Sequence, residues 1–530
     1  MAMSSNAGAI DRYPDFDEAA AHPRGLYVLF ATELWERFSF YSMLALFTLY
    51  LRDPAQGFGW TAAQATSLYA NYLMFVYASP LVGGFLADRV LGYRRAVTIG
   101  GLFFMAGHGL LAFHSLPAVY AALTCLVVGN GFFKPNVSTM VGNLYPEGSP
   151  LKERAYTIFY MGINIGGLIA PLVMEVVKRQ FGFHPAFAVA AFGMVVSVTT
   201  LWAFRRAVER RGHDRGAKAD ARPDAMRGVP DWKRVMALVV VFGLVVVFWM
   251  VFNQNGSTLT FWADDNTDWA VSGTLSNAIN SFWIISLTFP LLRFWDWLAR
   301  RGKEPSTPSK MALGMLLTSL SFLVLYAAAS VGEGREVRPE MYEAGSFRIN
   351  DRALEKLKAE GVPQETLDKL ASARDPEGKY LVYGVKFAPR RDGDSGQLVS
   401  GGRQLADAVE RVAPGEFSAR ADAFLQSAYL FRVSPLWLIL AYAIISLGEL
   451  MLSPMGLSLV SKVAPPRWRG LLMGGWFVST AIGSKLTAIG VYWELWRQSS
   501  FFLVLALMAL GMTLVLRALL RPLKSAMPGV

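Results

Sequence analysis

Cysteine is almost absent from the 530-residue sequence, where Cys125 stands alone. One thiol excludes an intrachain disulfide framework and a cysteine-based metal cage. It lies in an apolar run and reads as a small core residue. Charge is scarce as well: 17% of residues are charged, against roughly 25% in an average soluble protein. Hydrophobic residues make up 53%, and the mean hydropathy is +0.33. Few charges and long apolar runs together point to a membrane protein. There are five histidines and no His-rich metal cluster, nucleophile elbow or phosphate loop, so no motif supports an enzyme reading. The net charge of +11 sits in short loops between apolar segments. It reads as the positive-inside footprint, not as a nucleic-acid surface. Residues 1–23 are polar and acidic and lack the apolar region of a signal peptide, which predicts a cytoplasmic tail.

Twelve apolar stretches are long enough to span a bilayer, at roughly 20 residues each. They cover about 24–52, 61–88, 95–115, 117–143, 154–178, 184–204, 234–262, 274–299, 310–331, 434–463, 467–493 and 498–521. Pro80, Pro135, Pro171, Pro290 and Pro454 are the expected kink points. The even-numbered loops carry the basic runs, such as "DRVLGYRR", "KER" and "RRGKEPSTPSK". That side is cytoplasmic by the positive-inside rule, and an even count puts both termini there. The basic loop 205–233 divides the chain into two six-helix halves, the plan of a major facilitator transporter. The expected architecture is all-α. It has a first bundle at 24–204, helices 7–9 at 234–331, helices 10–12 at 434–521 and a tail at 522–530.

The remaining loop, 332–433, lies between the ninth and tenth spans on the periplasmic side. "DRALEKLKAEGVPQETLDKLA" predicts two short helices broken at Gly361 and Pro363. "KYLVYGVKF" alternates like a strand, and "GGRQLADAVERVAPGEFSARADAFLQSAYLF" reads as further helix. A small domain and a packed extension are both open readings.

Several charges lie inside the apolar spans. "ELWERFSFY" sets Glu33, Glu36 and Arg37 on one broad face of the first helix. Each such charge costs about 2.5–3.5 kcal/mol at the centre of a spanning helix on insertion scales. Three exceed what packing needs, and function is the expected reason. Lys134, in "GNGFFKPNVS", lies well inside its span, and a carboxylate on the first helix is its natural partner. Glu449 is buried in "SLGELMLSP", Asn280 in "NAINSFWII" and Asn164 in the glycine-rich "FYMGINIGG". Asp88, at the cytoplasmic end of the second helix, reads as a gate or topology element. Trp476 is open between packing and a pocket role. Lys485 has no obvious partner. His108 and His114 read as packing residues.

Taken in order, E-x-x-E-R at Glu33–Arg37, "GGFLADRVLG", "GNGFFKPNVS", "FYMGINIGG" and "SLGELMLSP" resemble the motifs of the proton-dependent oligopeptide transporters. The resemblance covers nearly the whole chain except 332–433. It implies a proton-coupled symporter of di- and tripeptides in the bacterial inner membrane, monomeric, in contact with membrane lipid, and without a cofactor or metal beyond the coupling proton. Glu33 and Glu36 would then be protonation sites with Arg37 as charge partner. Lys134 would pair with this cluster or with the peptide carboxylate. Glu449 would hold the peptide amino group or pair with Lys134 to close the cytoplasmic gate. Tyr41, Tyr72, Asn164 and Asn280 match positions that hydrogen-bond the peptide backbone, with Trp476 beside them. The alternative is a relative carrying another small anion or a peptide-like compound.

The sequence also departs from that pattern. Leu44 stands where many members carry a second arginine on the first helix, and Asn253 where many carry an acid before the glutamine of the seventh. Some members pair those two residues, so a different set of contacts is expected to close the periplasmic gate here. Phe40 replaces the first tyrosine of a usual pair. The second helix has no histidine, which leaves proton transfer to carboxylates. The two helices often found between the halves of bacterial members are missing, because 205–233 is too polar to span.

Overall fold

The computed structural model describes residues 22–145, 151–208, 228–269, 272–375, 380–391, 397–465 and 468–526. The expected tail at 1–23, the loop 205–233 and the tail at 522–530 fall largely or partly outside these residues. Among the described residues stand twelve helices of eighteen residues or more. The first six are α1 Arg24–Arg52, α2 Ala62–Leu86, α3 Tyr93–Leu111, α4 Leu116–Asn143, α5 Leu151–Phe181 and α6 Phe183–Ala203. The second six are α7 Asp231–Phe252, α8 Ser276–Arg300, α9 Thr307–Glu333, α10 Pro435–Val463, α11 Arg469–Leu486 and α12 Gln498–Ala526. Among the described residues, nine spans are long and apolar enough to cross a membrane. The charged α1 and the shorter α3 and α11 are not among them. Pro80, Pro135, Pro171 and Pro290 lie inside α2, α4, α5 and α8. The side chain of Pro454 is outside the described residues.

The first six helices pack on one another, chiefly α1 with α5 and α6, and α4 with α2 and α3. In the second six, α9 packs on α10 and α12, and α7 on α11. The halves meet along α2 with α11 and along α5 with α8. Lipid offers no hydrophobic drive for helix association, so close backbone approach and interhelical hydrogen bonds carry it. At Gly83 of α2 an added Cβ would lie 2.0 Å from the Gly131 carbonyl oxygen of α4. Asn130 Nδ2 donates to the Val76 carbonyl at 2.8 Å across the same seam. Ser321 Oγ joins α9 to α10 through the Ala441 carbonyl at 2.8 Å.

The seventh span is interrupted. After α7 comes a 3-10 turn, Asn253–Gly256, and then a separate helical piece, Thr258–Asp265. The break frees the Gly256 carbonyl, which accepts from Thr48 Oγ1 of α1 at 3.0 Å. The Gly256 Cα also faces the Tyr69 hydroxyl, 2.0 Å from where a Cβ would stand. Asn253 Nδ2 donates to Ser484 Oγ of α11 at 2.9 Å, a contact within the second half.

Residues between α9 and α10 fold around a core of their own that includes Phe347, Leu357, Leu370, Leu405, Val409 and Phe424. Strand Ser346–Phe347 pairs antiparallel with Tyr429–Leu430, and Arg390–Arg391 with Leu398–Val399. Helices Asp351–Ala359 and Gln364–Ser372 appear where the pattern places them, parted at Gly361 with φ +82°. The helical stretch after them is three pieces, Gly401–Val412, Glu416–Ala419 and Ala421–Ala428. The expected strand at "KYLVYGVKF" is replaced by a turn, Leu381–Gly384, flanked by single bridges at Tyr380 and Phe387. Leu381 and Val382 are both buried, which a pleated strand cannot do on one face. Tyr383 turns the chain with φ 69°.

Two expectations follow. Gly83→Ala should lower the detergent melting temperature, since overpacking against backbone costs about 1–3 kcal/mol. An unchanged melting curve would refute the close seam. In the insertion, the Glu410 carboxylate accepts from Gly415 N at 2.5 Å, Ser418 N at 2.8 Å and Ser418 Oγ at 2.7 Å. The Ser418 hydroxyl first, then the two amides, hold it below the usual carboxylate range. Its contribution is therefore complete above the ordinary glutamate range and is lost as pH falls through the lowered value. Protection of the Gly415 and Ser418 amides, corrected for intrinsic exchange, should fall on acidification. It should be pH-independent in Glu410→Gln.

Candidate substrate and proton site

The α1 cluster is closed and buried. Glu33, Glu36 and Arg37 are 1%, 1% and 3% exposed. Arg37 Nη2 donates to Glu36 Oε1 at 2.6 Å, and its Nε to Glu36 Oε2. Glu33 Oε1 lies 3.3 Å from the same Nε, one helical turn back. Two carboxylates thus share one guanidinium. Glu33 Oε2 is buried without a hydrogen-bond partner among the described residues. The guanidinium also stands 4.8 Å from the Phe40 ring centroid. Gly166 lets α5 approach α1 closely here, since a Cβ would lie 2.6 Å from the Leu34 carbonyl oxygen and 3.0 Å from Arg37 Cβ.

The second half presents its own polar group. Asn280 Nδ2 of α8 donates to Ser446 Oγ at 2.9 Å and to Glu449 Oε2 at 3.2 Å, both on α10. Glu449 lies within electrostatic reach of Tyr41, Tyr77 and Tyr160 of the first half. Arg37 lies within reach of Tyr41, Tyr72 and Tyr77. Cation and anion therefore face a shared set of tyrosines from opposite halves. At Gly167 of α5 a Cβ would lie 2.7 Å from Ser281 Oγ of α8 and 3.1 Å from the Tyr41 ring. Close approach of α5 and α8 needs a glycine at that point.

Lys134 has no carboxylate within 4 Å among the described residues, so the partner expected on α1 is not at ion-pair distance. Arg37 occupies both candidates. Lys134 Nζ stands instead 5.2 Å from the Tyr77 ring centroid, within electrostatic reach of Glu33 and Glu36. It is not paired with Glu449. Asn164 Nδ2 is bonded to the Tyr160 carbonyl at 2.9 Å. Tyr72 is 2% exposed, and its hydroxyl has no hydrogen-bond partner among the described residues. Trp476 sits in packing: its ring fills the space beside Gly456 and meets Phe242 edge-on. Asp88 is exposed in a π-helical turn, Ala87–Leu91, at the end of α2. His108 is fully buried and stacks on Phe104.

Some polar groups of the region were not foreseen. Lys485 Nζ of α11 donates to Asn71 Oδ1 of α2, which ties the halves together. Tyr77 and Tyr160 lie within electrostatic reach of Glu449. The signal for Asn71 and Tyr77 is present in "YANYLMFVYAS", which places polar groups inside an apolar span, and Tyr160 lies in "FYMGINIGG".

Comparison with known proteins identifies the family of the chain. The model of the POT family matches residues 94–222, 215–347 and 412–513. A dipeptide and tripeptide permease A of Edwardsiella piscicida is 30% identical, across 89% of this chain and 87% of its own length. A di-/tripeptide transporter of Lactococcus lactis subsp. cremoris is 28% identical, across 96% of this chain and 97% of its own. A crystal structure of a peptide transporter POT in complex with sulfate superposes with a TM-score of 0.71 at 26% identity, covering 96% of each chain. The family match spans well over half of the sequence, and the chain belongs to the POT family, a family of membrane transporters and not of enzymes.

Proposed function

We propose that this transporter carries di- and tripeptides inward across the bacterial inner membrane, driven by protons, with both termini in the cytoplasm and the insertion outside. The observation that carries the reading is the pair of opposed ends: Arg37 held by two carboxylates on α1, and Glu449 beside Asn280 in the other half. A zwitterionic peptide needs a cation at one end and an anion at the other. Arg37 and Lys134 take the carboxylate, and Glu449 takes the ammonium. Tyr41, Asn164 and Asn280 bond the peptide backbone, which every peptide shares. Bound peptide then bridges the halves and favours their closure, as alternating access requires. Tyr72 and Trp476 shape the site by packing. Relatives named for dipeptides and tripeptides support the same substrate class.

The coupling step follows from the shared guanidinium. Arg37 is the shared counter-charge of Glu33 and Glu36. When a peptide carboxylate draws Arg37 away, the carboxylates lose their counter-charge and one of them takes a proton. Glu33 is the better carrier, because its Oε2 has no hydrogen bond to give up, whereas Glu36 has both oxygens on Arg37. Lys134 has no ion pair to break and is available for the incoming carboxylate. Asp88 is one proposed element of cytoplasmic closure, and a Lys134–Glu449 pair that forms only when that side closes is the other. The protein works as a monomer in lipid. The functional parts are the bundles 24–204 and 234–331 with 434–521, the linker 205–233 and the insertion 332–433.

Dialanine uptake into proteoliposomes should need an inward proton gradient and should fail in Glu33→Gln, which keeps peptide counterflow. Gradient-driven uptake in both Glu33→Gln and Glu36→Gln would refute the coupling role. Glu449→Gln should raise the KM for dialanine by ten- to a hundredfold, the loss of a charge-assisted hydrogen bond of about 1.5–3 kcal/mol. It should leave an N-acetylated dipeptide, which has no ammonium, unaffected. Equal effects on both substrates would remove Glu449 from the amino-terminal role.

A further inference from the structure

At the end of the bundle that carries the insertion, two charged groups of the second half meet Arg52, in the last turn of α1. Glu494, after α11, accepts from Arg52 Nη2 at 3.1 Å and from the Ala62 amide of α2 at 3.1 Å. Both partners belong to the first half. Asp265, which ends the piece after the α7 break, has mixed company. Arg52 Nη1 is 3.7 Å from its Oδ2, while Arg348 Nη1 of the insertion is 2.7 Å from the same oxygen. Lys386 Nζ, also from the insertion, is 3.2 Å from its Oδ1. Asp265 is 5% exposed and Arg52 9%.

The insertion is fastened to the second half. Val433 N donates to the Asn266 carbonyl, and Asp268 N to the Val433 carbonyl, both at 2.9 Å. Lys386 Nζ donates to the Asp264 carbonyl at 2.9 Å, and Arg352 Nη1 to the Trp496 carbonyl at 3.3 Å. Toward the first half it faces a cavity of about 770 Å³, with Gln56 and Lys178 on one wall and Lys386 and Gln404 on the other. Arg348 and Lys386 therefore travel with Asp265 when the halves part, and Arg52 does not.

Resting on the transporter reading above, we propose that Arg348 and Lys386 are standing counter-ions for Asp265 that make the outer gate releasable. Stripping a buried carboxylate of its only cation is strongly unfavourable. With two cations of its own half in place, Asp265 loses little when Arg52 withdraws. The charge-pair hold across the gate then falls to Arg52 and Glu494, beside the hydrogen bonds that Glu175 and Lys178 of α5 make to Ser272 and Thr274 of the second half. Without Arg348 and Lys386, Asp265 would depend on Arg52 alone, and the gate would be held shut. The insertion eases opening; it is not a strap across the two halves.

The test uses spin labels at Ala55→Cys, in the loop after α1, and Leu495→Cys, beside Glu494, in a Cys125→Ser background. Both sites are exposed. Distances are read in liposomes without substrate, on samples that elute as a single species. Glu494→Gln should raise the long-distance fraction several-fold. Adding Arg348→Gln and Lys386→Gln to it should return the population toward the short distance. Lys386→Gln alone should do so partially, which covers a poorly folding triple variant. No opening with Glu494→Gln, or an unchanged or longer distance on removing the insertion's cations, overturns the proposal. Dialanine uptake by the unmutated protein, measured separately, tests the substrate reading without bearing on these distances.

Discussion

A charge held in an apolar slab must keep its counter-charge with it, and the polar architecture of this protein follows from that constraint. Near the middle of the bundle, Glu33 and Glu36 face Arg37 and, further off, Lys134: two negative and two positive charges. At the insertion end, Asp264, Asp265 and Glu494 face Arg52, Arg348 and Lys386. Each set is balanced as a whole but unevenly paired inside. Arg37 serves two carboxylates while Lys134 serves none, and Asp265 has three cations while Glu494 has one. A balanced set can be buried. An unevenly paired one can exchange partners without leaving a charge alone, which a mobile transporter requires.

The helix packing serves the same end. The seams within a half rely on backbone contact, as at Gly83 with Gly131 and at Gly314 with Gly448, where a Cβ would meet carbonyl oxygen at 2.0 and 2.7 Å. Such contacts are short, dense and indifferent to side-chain motion. The seams between halves include single polar contacts: Thr48 with the Gly256 carbonyl, Lys485 with Asn71, and Arg52 with Glu494. Each can be given to water when the halves separate. Rigidity within halves and exchangeable contacts between them are what two bodies rocking about a site need.

The sequence was most legible where chemistry and environment conflict. Glu33, Glu36, Arg37 and Glu449 announce themselves because a charge in an apolar run needs a reason. The helices around them follow from the length of those runs. Trp476 was ambiguous, since an aromatic ring suits a pocket and a core equally, and only its neighbour Gly456 shows which space it fills. The partner of Lys485 was unreadable because Asn71 lies more than four hundred residues away. Nothing local in the sequence marks Arg348 and Lys386. Their task depends on the insertion folding back onto the end of the seventh span, a contact with no local signature. The turn at Leu381–Gly384 was misread as a strand because its alternation is real along the chain but is broken in space at Tyr383.

The interruption of the seventh span has a mechanical consequence. At Ser257 the backbone leaves helical geometry, with φ −134° and ψ −95°. The piece beyond it, Thr258–Asp265, is eight residues, a lever about 12 Å long. Asp265 is at its tip, and Gln254, bonded to the Thr487 carbonyl at 3.2 Å, steadies its root. A continuous helix would have to tilt along its whole length to move that carboxylate. A jointed one swings its tip while α7 stays seated against α11, so one end of the bundle can yield without disturbing the other.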